Sequence, residues 1–397
     1  MDEKSKVQGM QAKAWKFVIL FGIVSLLADT TYEGARSIIG QYLALLGASA
    51  TAIGIIAGLG EFIGYAFRLF AGILADKTGR YWMLTLLGYA INVFTVPTLA
   101  LTGRWETAAA LLFVERFGKA LRTPARDAML SHAASQIGRG MAFGVHEAFD
   151  QIGAILGPML MALVLYWRSD YRIGFLTLLV PAFLTLLVLL NAWRLSPQPQ
   201  RMETDVANLS TNLPNRFWFY LLFTSFSVAG FPHFQLLAYH FKTAQILPEP
   251  VIPAAFGLAM ATDALSALAM GRWFDHIGLK LLTIVPLLTF ASTFSAFMLH
   301  TFGAWLGMVL WGITMGAQES VMRAAVAEMT TRERRASAYG IFNASFGLAW
   351  MLGGTIMGWL YDHHSLKGLL MLAAITQIAS LPFLLSAIKH ESSRRTM

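Results

Sequence analysis

Gly72-Ile73-Leu74-Ala75-Asp76-Lys77-Thr78-Gly79-Arg80 decides the reading of this chain, because it occurs twice. Its second copy, Gly271-Arg272-Trp273-Phe274-Asp275-His276-Ile277-Gly278, carries glycine, aspartate and glycine at the same spacing. Each copy closes a long apolar run. A second correspondence supports the first: Phe143-Gly144 and Gly157 are matched by Tyr339-Gly340 and Gly353. Two related halves, produced by duplication, account for both matches.

Outward from these stretches the chain is a succession of apolar runs, each close to the ~20 residues of helix needed to cross hydrocarbon. The expected spans are Trp15 to Leu45, Ala50 to Leu74, Trp82 to Leu101, Thr107 to Ala125, Ala142 to Trp167 and Ile173 to Trp193 in the first half. The second half offers Phe217 to Phe241, Val251 to Phe274, Leu281 to Leu299, Ala304 to Arg323, Ala338 to Tyr361 and Leu366 to Ile388. The fold class is therefore an all-α membrane protein of about twelve transmembrane helices. It divides into residues 1–194, a polar cytoplasmic linker at 195–216, and residues 217–397. Composition agrees: of 397 residues, 56% are hydrophobic and 13% charged, against roughly 25% charged in soluble domains.

The formal charge of +8 does not point to nucleic acid, because the basic residues fall in short loops between apolar runs. Lys77, Arg80, Arg139, Arg194, Arg201, Arg272, Arg332 and Arg335 lie on one side of the expected topology, and only Arg104, Arg168, Arg172, Lys242 and Lys367 on the other. The positive-inside rule puts both termini in the cytoplasm, and the bacterial inner membrane is the expected location. The apolar run behind the polar N-terminus is too long for a cleavable signal. Cysteine is absent, which excludes disulfides and thiolate metal sites.

Gly72, Asp76, Lys77, Gly79 and Arg80 resemble the loop between helices two and three of the major facilitator superfamily. The resemblance implies two pseudo-symmetric six-helix bundles and transport by alternating access. It also implies a cytoplasmic latch made by this loop, with its copy at Asp275. Gly144, Gly153, Gly157 and Pro158 are similar to the antiporter motif of drug and metabolite exporters, with Met161 and Ala162 in place of its trailing glycine pair. The fourth span departs from that branch. Where exporters place an arginine four residues before a glycine, this chain has Val114, and Arg116 lies two residues before Gly118.

Ionisable groups within the spans are the site candidates, because at mid-bilayer they face the bundle interior or a water-filled cavity. Asp29, Glu33 and Arg36 share one helix face by their spacing. Two carboxylates so placed can load and release a proton, and an ion pair between Glu33 and Arg36 is the alternative. Glu61 is read as a partner of Arg36 or Arg116, or as a site of its own. Asp263 lies mid-span in the second half, with Gln318, Glu319 and His233 elsewhere in it. His146, Glu147 and Asp150 sit early in the fifth span and are expected at a cytoplasmic gate; Arg122 and Arg126 are expected at the cytoplasmic surface.

No phosphate-binding glycine loop, nucleophile elbow or zinc motif occurs in the sequence. The reading is a transporter and not an enzyme, with no metal or cofactor beyond a coupling proton, working in the bilayer as a monomer on a small-molecule substrate. Proton-coupled efflux of a drug-like or metabolite substrate is the leading expectation. Carboxylates in an apolar cavity suggest a cationic or amphipathic one. A proton symporter importing a nutrient or metal chelate is the alternative, and a channel or receptor a more distant one.

Overall fold

The computed structural model describes residues 3–137, 139–195, 213–330 and 335–395. The side chains of 3–10, Leu69, Asp76, 132–137, 139–140, 335–337 and 390–395 lie outside that description. The expected linker is therefore described only at its two ends, and so is the loop ahead of the eleventh expected span.

Helices dominate the described residues, and no strand occurs among them. In chain order they are α1 (Glu3–Leu45), α2 (Ala50–Thr78), α3 (Tyr81–Thr98), α4 (Trp105–Ile137), α5 (Arg139–Arg168), α6 (Tyr171–Thr177) and α7 (Leu179–Leu195). Then follow α8 (Asn215–Ala229), α9 (Phe234–Thr243), α10 (Val251–Ile277), α11 (Val285–Met298), α12 (His300–Gly316), α13 (Met322–Met329), α14 (Arg335–Asp362) and α15 (Leu366–Arg395). Among the described residues nine helical stretches are long and apolar enough to cross a membrane, and one of them, Val251–Met298, covers α10 and α11 together. Neither α4 nor α12 is among them. α12 has only 17 residues, and α4 interrupts its apolar face with Glu115, Arg116, Lys119, Arg122 and Arg126.

The chain forms two compact units. The first comprises Met1–Arg36 and Ile63–Asp205, the second Ser37–Phe62 and Val206–Met397. The boundary passes through α1 and α2, so the hairpin that joins these helices packs with the second unit. Within that unit Asp362, at the end of α14, caps α2: the Ala50 and Thr51 N–H groups donate to its two carboxylate oxygens, each at 2.8 Å. This satisfies two donors that the first turn of a helix otherwise leaves open. Gly54 and Gly58 then let α2 lie directly on Gly354 and Met351 of α14.

The duplication is visible in the backbone. Gly79 and Gly278 end the two copies of the opening stretch with φ of +62° and +60°, the left-handed region that only glycine enters without strain. Gly157 and Gly353 form a second matched pair. A Cβ added at Gly157 would stand 2.6 Å from the Gly34 nitrogen of α1, and one at Gly353 would stand 2.6 Å from the Ala229 carbonyl carbon of α8. In each half the helix carrying that glycine lies against the half's first helix, as small residues permit in lipid.

Three expected continuous spans are interrupted. The run from Ile173 to Trp193 breaks at Leu178 between α6 and α7. The run from Phe217 to Phe241 breaks at Gly230–His233 between α8 and α9, and the run from Ala304 to Arg323 contains a π-helical turn at Ala317–Val321.

Candidate functional site

In the first unit the site is built on α1 and α4. At 100° per residue, Asp29, Tyr32, Glu33 and Arg36 fall on one stripe of α1. Arg116 and Lys119 form a stripe on α4, and both reach the same ring. The Arg116 guanidinium lies 4.9 Å and the Lys119 Nζ 3.6 Å from the Tyr32 centroid. A cation over an aromatic face is attracted by the ring quadrupole, more strongly where water is excluded. Tyr32 itself is 5% exposed.

Ion pairs surround that ring. Arg36 Nη1 stands 3.5 Å from Glu33 Oε1, Arg116 Nε 3.6 Å from Glu115 Oε2, and Arg122 Nη2 4.0 Å from Asp29 Oδ1. Asn92 of α3 donates from Nδ2 to the Glu115 carboxylate. Arg122 also stacks on Tyr89 of α3 at 4.1 Å. Its side chain is 1% exposed, against 16% for Asp29. The close crossing of α3 and α4 at Gly88 admits Arg122: a Cβ at Gly88 would lie 2.7 Å from the Arg122 backbone nitrogen. α5 contributes His146 and Asp150, 3.8 Å apart, and Asp150 lies within Coulombic reach of Asp29. Arg126 pairs with Asp127 at 2.8 Å.

The structure thus brings together most of the sequence candidates of the first half, namely Asp29, Glu33, Arg36, Arg116, His146 and Asp150. Glu147 is exposed and takes a hydrogen bond from Gln151 at 3.3 Å. Glu61 is half-buried in α2, on the part of that helix that packs with the second unit. Arg122 departs from expectation: its position near the end of an apolar run suggests the cytoplasmic surface, yet it is among the largest fully buried side chains. Lys119 and Tyr89 join the network although the sequence gives no sign of which face of α4 meets α1. Val114, at the departure from the exporter pattern, is 46% exposed, while Arg116 turns inward.

In the loop between α2 and α3, Lys77 and Arg80 are exposed, and so is Asp275 of the copy. Gly72 has only a distant neighbour in Pro124, 3.7 Å from an added Cβ. The Asp76 side chain lies outside the described residues. In α5, Gly153 and Gly157 press on α1 at Leu26, Thr30 and Gly34, whereas Gly144 faces open space. Pro158 follows within the same helix.

The interior of the second unit is aromatic and largely neutral. At the break between α8 and α9, Trp350 Nε1 donates to Phe231 O at 2.8 Å and Trp311 Nε1 to Pro232 O at 3.0 Å. These indoles satisfy carbonyls freed by the break, the condition for interrupting a helix in lipid. His233 stacks on Trp350 with ring centroids 4.2 Å apart. Gln377 Nε2 donates to Ser227 O at 2.8 Å. Gln318 lies in the π-helical turn with both amide atoms buried and without a hydrogen bond. Asp263 is buried in α10, where Gly316 of α12 approaches its carbonyl oxygen. The juxtaposition of Gly230 and Pro232 is a helix-stop signal and marks the break in the sequence. Nothing comparable marks the π-helical turn.

Known proteins place this architecture. A protein of Mycobacterium tuberculosis (strain ATCC 25618 / H37Rv) described as uncharacterized is 43% identical over 88% of this chain and 87% of its own length. An uncharacterized MFS-type transporter of Methanocaldococcus jannaschii is 28% identical over 87% of this chain and 88% of its own. The crystal structure of the nucleoside transporter NupG superposes with a TM-score of 0.72 over 94% of this chain and 98% of that one, at 15% identity, which is a likeness of fold. The sequence profile described as Major Facilitator Superfamily matches residues 19–262 and 235–396. The chain is a multi-pass membrane transporter that belongs to the major facilitator superfamily.

Proposed function

We propose that this transporter couples the passage of a small molecule to protons, with Asp29 and Glu33 of α1 as the coupling acids. The single observation that carries the reading is the arrangement around Asp29. Arg122, Lys119 and Arg126 of α4 and Asp150 of α5 all act on its carboxylate electrostatically. A proton arriving at Asp29 or Glu33 removes one negative charge from a network held in hydrocarbon and changes which cations are compensated. That is a charge switch of the kind alternating access needs. Alternating access would use the loop of Gly72, Asp76, Lys77, Gly79 and Arg80 as cytoplasmic latch. The distribution of Lys and Arg supports a bacterial cytoplasmic membrane location with both termini inside, and the protein works as a monomer.

The antiporter-like stretch Gly144, Gly153, Gly157 and Pro158 supports efflux in exchange for protons. One observation favours the second reading, symport. Asp29 and Arg122 are partners, so protonation of Asp29 releases a cation at the moment a proton is loaded. A substrate using that cation would travel with the proton.

The test is flux in proteoliposomes under an imposed pH gradient, with a pool of labelled metabolites inside and outside. Accumulation against the proton gradient's direction supports antiport and accumulation along it symport. Flux of an accepted substrate that ignores the gradient would overturn proton coupling.

A further inference from the structure

We infer that the first unit recognises an organic monocarboxylate, bound by Lys119 beside Tyr32 with Arg116 and Arg122 as flanking donors. The inference rests on the transport reading above and gives the substrate its chemical class.

The pattern of direct ion pairs leads to it. Along the facing stripes of α1 and α4, Glu33 pairs with Arg36, Glu115 with Arg116 and Asp29 with Arg122. Three carboxylates thus meet three guanidinium groups, Arg126 pairs separately with Asp127, and Asp150 of α5 stands 3.8 Å from His146. Lys119 remains. Its ammonium sits over the Tyr32 ring at 3.6 Å, and no ion pair to it is found among the described residues. A ring face is a weak substitute for a counter-ion. A buried cation without a direct carboxylate partner is expensive to keep, and an arriving carboxylate would supply one.

Arg122 supplies independent support. Its Nε and Nη1 are buried and reach no acceptor, although a guanidinium has five N–H donors to satisfy. Unmade hydrogen bonds of a buried charged group carry a large penalty, and a carboxylate is the acceptor whose two oxygens fit a guanidinium edge. Lys119 lies one helical turn before Arg122 and is partly exposed, so an anion would meet the ammonium first. A single ammonium without a direct carboxylate partner matches a single negative charge. A phosphomonoester, with a charge of about −1.5 to −2, would overfill the site. The sense of charge is opposite to that suggested by the carboxylates alone, because the sequence does not reveal how many cations of α4 turn inward.

The experiment measures ligand-induced thermal stabilisation of the purified full chain in detergent, at one pH and without any gradient. The probes are benzoate, benzamide, benzylamine and phenyl phosphate, which share a flat body able to lie on Tyr32 and differ in charge. Saturable stabilisation by benzoate alone is expected. Lys119→Gln should weaken it at least tenfold and Lys119→Arg should largely retain it. Stabilisation by benzylamine instead of benzoate, an unchanged benzoate response in Lys119→Gln, or no response to any probe would overturn the inference. If Lys119→Gln does not fold, the discrimination among the four probes by the wild-type chain decides alone. Binding requires no flux, so benzoate binding by a protein indifferent to pH gradients would retire the coupling reading and leave this one standing.

Discussion

The two units share a backbone plan and differ in what they bury. Gly79 and Gly278 share a positive φ, and Gly157 and Gly353 each bring a helix against the first helix of its half. Between these matched supports the first unit buries Glu33, Arg36, Glu115, Arg116 and Arg122. The second buries Trp311, Trp350, His233, Gln318 and Gln377, with Asp263 as its buried carboxylate. Duplication therefore fixed the scaffold and left the chemistry free to diverge. In lipid, where apolar burial does not separate one helix from another, close contacts of small residues hold the fold. Charges can then be gathered on one side without disturbing it.

The sharpest way to break this comparison is to remove a buried polar side chain from each interior. Arg122→Met leaves Asp29 and its neighbours with an uncompensated charge, and should cost about 3 kcal/mol of stability. Gln318→Leu removes an amide that makes no hydrogen bond, and should change stability by less than about 1 kcal/mol. Urea unfolding in detergent compares them, and equal losses would mean that the second interior is as polar in energetic terms as the first. The scaffold is probed next. Gly157→Leu and Gly353→Leu force side chains into backbone contacts and should each cost about 1–3 kcal/mol, by similar amounts. A cost confined to one of them would show that the repeated packing matters in one half only. The smallest effect belongs to the turns. Gly79→Ala and Gly278→Ala place a Cβ at positive φ and should each cost roughly 1 kcal/mol, read from the same unfolding curves.

Much of the fold is legible in the sequence because lipid simplifies the code. Apolar runs of bilayer length mark the helices, and two copies of one loop reveal the halves. The limits are equally physical. α4 carries seven charged residues along an otherwise apolar helix, so hydropathy alone blurs it, and five of them, from Glu115 to Arg126, are what make it functional. Asp29, Glu33 and Arg36 announce themselves by their spacing. Lys119 and Arg122 do not, because their importance depends on which face of α4 meets Tyr32 and Tyr89, a matter of packing that no periodicity records. The compact units offer a second lesson. The hairpin of α1 and α2 belongs in space to the second unit, through the Asp362 cap and the Gly54–Gly354 contact. That attachment joins residues some three hundred positions apart, beyond the reach of local patterning.

The central claim is that the coupling chemistry lies in the first unit. It is tested most directly by proton-driven flux of an accepted substrate in proteoliposomes, comparing Asp29→Asn with Asp263→Asn. The account predicts that Asp29→Asn lowers gradient-driven accumulation by about 10- to 100-fold, the scale of a coupling free energy of 1–3 kcal/mol, while gradient-free exchange persists. Asp263→Asn should keep its response to the gradient. Full gradient-driven accumulation in Asp29→Asn, or its loss in Asp263→Asn alone, would contradict it.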